Sequence, residues 1–287
     1  MSSFIRAYFE VTKPRTVMLL SYVGIVAGII AYMIGGYVAL DRLILSSIAI
    51  ILGCMGTNAI TCYIDRDIDA IMDRTKHRPI PRGAIRPPEK ALYYGLSLVS
   101  IALILTILTG VLWSTLWLLF GVFIVAGVYN AFLKRRNPLN IVIASPGGGA
   151  PIMVTWSAVT CEPISLAPLL MAALVVVWTP VHIWSLALKY REDYKKAKVP
   201  MLPVVFSERS AIRCIAATSM FLVVFTLLLG QILMKGLTYY VVMIPLNIAL
   251  LILSFKLLYK PEKAIAWKLF KLTSPYLALS FLMLAVP

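Results

Sequence analysis

Between residues 62 and 83 the chain reads CYIDRDIDAIMDRTKHRPIPRG. Asp65, Asp67, Asp69 and Asp73 are four of its twelve acidic residues, and Arg74, Lys76, Arg78 and Arg82 follow them closely. On a continuous helix the i, i+4, i+8 spacing of Asp65, Asp69 and Asp73 lines one face and turns Asp67 away from it. Carboxylates stacked one turn apart repel each other, so such a ladder needs a counter-charge. The neighbouring Arg and Lys side chains supply it if the segment is a solvated, salt-bridged helix end. Divalent cations are the alternative, because Mg²⁺ takes carboxylate oxygens, keeps several waters and shares its remaining positions with phosphate. Carboxylates beside a dense set of bases are the groups that a metal–diphosphate complex requires.

The elements that must position these residues are membrane spans. A chain that is 61% hydrophobic and 14% charged cannot be arranged as a water-facing surface around a core. Apolar runs long enough to cross about 30 Å of hydrocarbon predict nine helices, at approximately 16–36, 43–64, 91–109, 112–132, 139–159, 165–188, 211–234, 237–258 and 268–286. Gly110 is the expected break in one long apolar stretch, with Trp113 at the interface beyond it. The expected fold is an all-α, polytopic membrane protein, one transmembrane domain over residues 1–287.

Lys and Arg accumulate in cytoplasmic loops. With the N-terminus inside, all of the 27 basic residues except Arg42 and Lys235 fall in inside segments, and the C-terminus lies outside. The net charge of +15 is then a topology signal in a cell membrane and not a nucleic-acid footprint, although part of it also suits anionic lipid or an anionic substrate. The basic first fifteen residues have the look of a signal-peptide start. The apolar run after them has the length of a full span and no A-x-A exit, so it is read as the first span. Cys54, Cys62, Cys161 and Cys214 have no C-x-x-C spacing and read as helix residues.

The two longest polar segments are alike. DRDIDAIMDRTKHRPIPRG follows the second expected span and KYREDYKKAKVPMLPVVFSER follows the sixth; each begins as a continuation of its helix and ends in a proline pair. Similar segments four helices apart suggest an internal repeat that encloses one site.

YIDRDIDAIMDRTKHRPIPRG, YNAFLKRRNPLNIVIASPGGGAP at 129–151 and WTPVHIWSLALKYREDYKKAKVPMLPVV at 178–205 together resemble the UbiA-like intramembrane prenyltransferases, and within them the branch that acts on haem. The resemblance spans nearly the whole chain. It implies a helix bundle around a central cavity and Mg²⁺-dependent transfer of a farnesyl group from farnesyl diphosphate to the 2-vinyl group of haem B, with water addition giving haem O. The family pattern N-D-x-x-D-x-x-x-D is kept at Asp65 and Asp69 and departs at its asparagine, where Thr61 stands, with Asn58 one turn earlier. The second pattern, D-x-x-x-D, becomes Lys189-x-x-x-Asp193. The resemblance assigns Mg²⁺ to Asp65, Asp69 and Asp193, with Asn58 or Thr61 completing the shell, and diphosphate to Arg74, Arg78, Lys134, Arg135 and Lys189. Membrane lipid surrounds the site, and whether a haem A synthase binds is left open. A quinone precursor or a glycerol-phosphate lipid as acceptor is the alternative within the family. A transporter or scaffold with a salt-bridged loop is the alternative outside it.

Haem directs attention to the two histidines. His182, inside a predicted span, reads either as an axial ligand to iron, as a hydrogen-bonded packing residue or as a proton carrier; His77, among bases, reads as iron ligand, propionate contact or solvated side chain. Tyr129 and Asn130 precede Lys134 and face either substrate or the interface, and Tyr129 joins His182 and His77 as a candidate haem contact. SPGGGAP at 145–151 lacks a G-K-[ST] ending and falls mid-span, so it reads as close helix contact or a kink. Trp113, Trp117 and Trp267 read as interfacial belt residues.

Overall fold

The structure, a computed structural model, describes residues 3–35 and 39–286, and residue 36, the end of the first expected span, lies outside them. All regular secondary structure among the described residues is helical. A short α1 (Ser3–Val11) precedes the long α2 (Pro14–Ile34) and α3 (Leu40–Ile64), and α3 gives way to a short α4 (Arg66–Ile71). Next come α5 (Glu89–Leu108) and α6 (Leu112–Val122), the latter continued by a π-helix (Phe123–Phe132) and a 3₁₀ turn (Leu133–Arg135). α7 (Asn140–Ala144) and α8 (Pro146–Thr160) form one broken span. α9 (Leu166–Lys189) leads into the short α10 (Arg191–Lys196) and α11 (Leu202–Val205), and α12 (Glu208–Ile232), α13 (Leu237–Tyr259) and α14 (Lys263–Ala285) follow.

Eight helices are long and apolar enough to cross a membrane. α14 occupies the position of the ninth expected span but is not among the eight, because Lys263, Lys268 and Lys271 make its first half more polar. It packs on α9, α13 and α2. The outer surface is apolar: Ile104, Ile107, Leu228, Ile248 and Ile252 are exposed, while Ala27, Leu174 and Leu222 are fully buried. Hydrophobic residues on both sides of a helix are the signature of lipid as solvent.

Small residues set how closely the helices approach. A Cβ on Gly95 would lie 2.8 Å from the Gly56 carbonyl oxygen, and one on Gly56 would lie 2.6 Å from that of Gly95. This contact holds α3 against α5. The SPGGGAP segment behaves as expected: Gly147 is covered by Ile124 and Val125, and Gly149 faces Ala172. Gly110 adopts φ +72° in the turn between α5 and α6, where the sequence called for a break.

The two polar segments come together. Ile68 and Met72 from the first share a cluster with Tyr194, Val199 and Met201 from the second, and with Ile141 of α7 and Ala187 of α9. That cluster joins the loops following α3 and α9 at one end of the bundle.

A methyl group at residue 95 must push α3 away from α5, so Gly95→Ala is expected to cost about 1–3 kcal/mol. Gly127→Ala, whose Cβ would make only ordinary contact at 3.5 Å, is expected to stay within about 0.5 kcal/mol of the parent. Thermal unfolding in detergent micelles compares the two.

Candidate active site

The helical face predicted for the aspartates survives in part. Asp65 sits at a bend, φ −88° and ψ 5°, between α3 and α4. The i→i−4 hydrogen bonds nevertheless continue through it: the Asp65 N–H donates to the Thr61 carbonyl at 3.0 Å and the Asp69 N–H to the Asp65 carbonyl at 2.8 Å. Asp65 and Asp69 therefore stay one turn apart. Asp73 does not join them. The Thr75 hydroxyl donates to the Asp69 carbonyl at 3.0 Å, and Met72 turns extended with ψ 128°, so α4 stops at Ile71. Asp73 ends at the surface between Lys76 and Lys196, which hold its carboxyl below the usual range, Lys76 more strongly.

Asp65 and Asp69 are 1% and 2% exposed, and each has a cation of its own. Lys134 donates to Asp65 Oδ2. One nitrogen of Arg78 donates to both oxygens of Asp69, at 2.9 and 2.7 Å. Asp67 points away, as its position predicts, and takes both arms of Arg135 at 2.7 Å. The hydrogen bonds from Arg135 draw the Asp67 carboxyl below its ordinary pKa. Arg135, expected at the diphosphate, is thus committed to Asp67 and the Ile64 carbonyl.

Asp193, in α10, accepts the backbone N–H of Arg74 at 3.0 Å, which ties the second polar loop to the first. The Arg74 guanidinium donates to Tyr194 Oη at 3.3 Å and lies near the face of the Tyr190 ring. Its buried Nε has no partner. The Lys134 ammonium sits 5.9 Å from the centre of the Tyr129 ring. Tyr129 is positioned by the π-helix, whose Asn130 side chain donates to the Val125 carbonyl at 2.8 Å. Lys189 ends α9, half-buried, with no hydrogen bond from its ammonium among the described residues. His77 is exposed and only its carbonyl is engaged, by Arg82.

Of the two candidates for the motif asparagine, Thr61 faces the cluster. Its hydroxyl donates to the Asn58 carbonyl at 2.9 Å and accepts from Lys13 Nζ at 2.8 Å. Asn58 instead lines an apolar cavity of about 60 Å³ with Ile50, Gly53, Leu118 and Val154.

His182 lies between aromatic rings. Trp178 and Phe270 stack on its two faces with ring centres 4.4 Å away, and Trp267 and Tyr190 extend the series. Trp267, expected in an interfacial belt, belongs to this stack. The Thr273 hydroxyl lies 2.7 Å from both the Phe270 carbonyl oxygen and His182 Nδ1, and the ring's tautomer decides which of the last pair donates.

Lys13, Thr273 and Asn140 escaped the sequence reading. Asn140 is fully buried with neither side-chain atom hydrogen-bonded, next to Ile141 of the cluster joining the loops. Among the described residues no three His, Cys, Asp or Glu side chains converge as a metal cluster, since each buried carboxylate of α3–α4 is neutralised by a base. The donor set still suits a hard divalent cation: all-oxygen carboxylates, with Asp65 Oδ1 buried and unpartnered.

A polytopic helical bundle with paired buried carboxylates and bases at one end is the architecture of an integral membrane transferase for charged lipid-like substrates. Residues 21–282 match the UbiA prenyltransferase family, and the chain belongs to it. It is a membrane-embedded prenyltransferase. Curated relatives include the protoheme IX farnesyltransferase of Desulforudis audaxviator, 45% identical over 98% of this chain and 88% of the relative. That of Thermoplasma volcanium is 37% identical over 100% and 99%. The fold matches a UbiA homologue from Archaeoglobus fulgidus bound to GPP and Mg²⁺, with TM-score 0.68, 18% identity, and coverage of 98% of this chain and 100% of that one. It also matches a structure from work on digeranylgeranylglyceryl phosphate synthase, with TM-score 0.78 and 17% identity, covering 100% and 98%.

Removing one partner of a buried ion pair leaves the other charge uncompensated. Arg78→Ala is therefore expected to destabilise the protein by about 3–5 kcal/mol, and Asp69→Asn combined with Arg78→Met to recover much of that loss. Unfolding in determined detergent conditions, followed by tryptophan fluorescence, reads both.

Proposed function

We propose that one transmembrane domain, formed by the whole chain, transfers a farnesyl group from farnesyl diphosphate to the 2-vinyl group of haem B, with addition of water, releasing diphosphate and haem O. The observation that carries this reading is the pair of buried carboxylates, Asp65 and Asp69, each held by a base, in a loop that Asp193 ties to the second polar segment through the Arg74 backbone. The relatives named protoheme IX farnesyltransferase support haem as the acceptor.

Asp65, Asp69 and Asp193 would hold Mg²⁺, and the homologue bound to GPP and Mg²⁺ supports a metal in a site of this fold. Bound there, Mg²⁺ would supply positive charge to the diphosphate leaving group. Lys134 and Arg78, the present partners of Asp65 and Asp69, lie where they can turn to phosphate oxygens. Arg74 and Lys189 have no carboxylate to leave, and Arg135 stays with Asp67 and fixes the loop. The cavity beside Asn58 begins seven residues before Asp65, about 10 Å along the helix, and its apolar lining suits the prenyl chain.

As the allylic C–O bond breaks, its electron pair stays on the diphosphate oxygen, and the bases stabilise that charge in a water-poor site. The vinyl π electrons form the new C–C bond. Water then adds to the resulting cation and loses a proton. His182, its ring fixed by Thr273, Trp178 and Phe270, would be the residue that holds the haem iron. Tyr129, under Lys134, helps to position the diphosphate, and His77 is a peripheral candidate for a propionate. The positive-inside pattern orients the site toward the cytoplasm, with the C-terminus outside the plasma membrane, among lipids that deliver both substrates. A haem A synthase is the natural consumer of the product.

Purified protein incubated with labelled farnesyl diphosphate and haem B is expected to yield a haem carrying farnesyl and hydroxyl. A prenylated quinone precursor or glycerol-phosphate lipid in its place would move the chain to another branch of the family, and no transfer would discard the reading. Asp65→Asn leaves Lys134 without its partner and is expected to lower stability as well; in the protein that remains folded, turnover is expected to fall by about 10²-fold or more. Near-normal Mg²⁺-dependent activity would remove Asp65 from the metal site. His182→Ala is expected to shift the Soret band of bound ferric haem and weaken its binding; an unaltered spectrum with reduced activity would leave His182 a packing or proton-transfer role.

A further inference from the structure

The cations near Asp65 and Asp69 are not equivalent. Lys134 is paired with Asp65, Arg78 with Asp69, Arg135 with Asp67, and Lys76 and Lys196 with Asp73. Lys13 belongs to the same neighbourhood: Asp65, Asp69 and Arg78 are the side-chain charges of the two loops that act on it. Yet it has no carboxylate within ion-pair distance among the described residues, and its one hydrogen bond is to the Thr61 hydroxyl. Because that hydroxyl's own proton goes to the Asn58 carbonyl, Lys13 must donate to it, which leaves two of the three ammonium protons without protein partners.

The backbone holds this arrangement at a cost. Lys13 has left-handed dihedrals, φ 54° and ψ 63°, a conformation unfavourable for a residue that carries a side chain. Its carbonyl receives the N–H groups of Thr16 and Val17, and Pro14 begins α2 directly after it. The link between α1 and α2 is thereby fixed, and the ammonium reaches Thr61, one turn before Asp65. Lys13 is thus a half-buried cation that lacks a full counter-charge. An anion that joins the cluster would supply that charge. Thr61 stands where the family pattern has asparagine, so the neutral amide of the pattern is replaced here by a hydroxyl carrying a lysine.

We propose that Lys13, oriented by Thr61, is a diphosphate-binding residue that contacts an oxygen of the prenyl donor's leaving group and stabilises the charge developing there. This rests on the prenyl diphosphate reading of the site. When the allylic C–O bond breaks, the electron pair passes to the diphosphate oxygen; Lys13 keeps its protons and neutralises part of the gained charge. Thr61 is then a positioning residue for Lys13 and not a metal ligand.

The test uses the purified full chain in detergent with Mg²⁺, inorganic diphosphate as one probe and haem B as the other. Lys13→Met is expected to weaken diphosphate binding about ten- to a hundredfold and to leave haem binding, read from the Soret band, unchanged. Lys13→Arg is expected to restore most of the affinity. Thr61→Val, which keeps the charge but releases its anchor, is expected to give a smaller loss of the same kind. In turnover, Lys13→Met raises KM for farnesyl diphosphate and lowers kcat, with KM for haem unaffected. Equal diphosphate binding by parent and Lys13→Met, or equal loss of diphosphate and haem binding in Lys13→Met and Lys13→Arg, overturns the assignment. Failure of the parent protein itself to bind diphosphate overturns the prenyl diphosphate reading, and this assignment with it.

Discussion

Two carboxylates buried at the end of a membrane helix need cations beside them, and this constraint organises the polar end of the molecule. An isolated charge withdrawn from water costs several kcal/mol, and its attraction to a partner offsets that only when the geometry is good. Asp65 and Asp69 meet the requirement with bases from separate places in the chain, Lys134 from the 3₁₀ turn after the π-helix and Arg78 from the loop after α4. The loop cannot move away without exposing or orphaning a charge. The apolar cluster of Ile68, Met72, Ile141 and Tyr194 beneath it then brings in the second polar segment and Asp193.

A site built of mutually neutralised charges is also ready for exchange. A metal ion can take over the carboxylates while the released cations take phosphate oxygens, so net charge in the cavity changes little as substrate enters. Lys13 and Arg74 add positive charge that no carboxylate answers. The excess matches a highly charged anion better than a neutral acceptor. His182 stands in a different setting, held between the Trp178 and Phe270 rings and by one hydroxyl.

Much of this was legible in the sequence, for identifiable reasons. Long apolar runs exposed the spans because lipid permits nothing else, and Gly110 and SPGGGAP marked a turn and a close approach because only small residues fit there. The proximity of Asp65 and Asp69 could be read because i→i−4 bonding persists through the bend. Asp73 could not be placed, since a hydroxyl two residues beyond it, on Thr75, ends the helix. Lys13 and Thr61 are 48 positions apart, and His182 and Thr273 are 91 apart. Such pairings follow from how distant helices pack and leave no periodic trace. The stack that holds Trp267 left no trace for the same reason, because its partners Phe270 and Tyr190 come together only when α14 meets the end of α9.

The central claim is that the buried carboxylates exist to gather a divalent cation and a diphosphate at one place. Calorimetric binding of a non-hydrolysable farnesyl diphosphate analogue to the purified protein, with Mg²⁺ present or removed by chelation, tests it most directly. Binding should be about 10²-fold tighter with Mg²⁺, the scale of a strong coupling between two ligands, and Asp65→Asn should abolish that difference. Equal affinity with and without the metal, in both parent and variant, would contradict it and leave Asp65 and Asp69 as no more than salt-bridged ends of a helix.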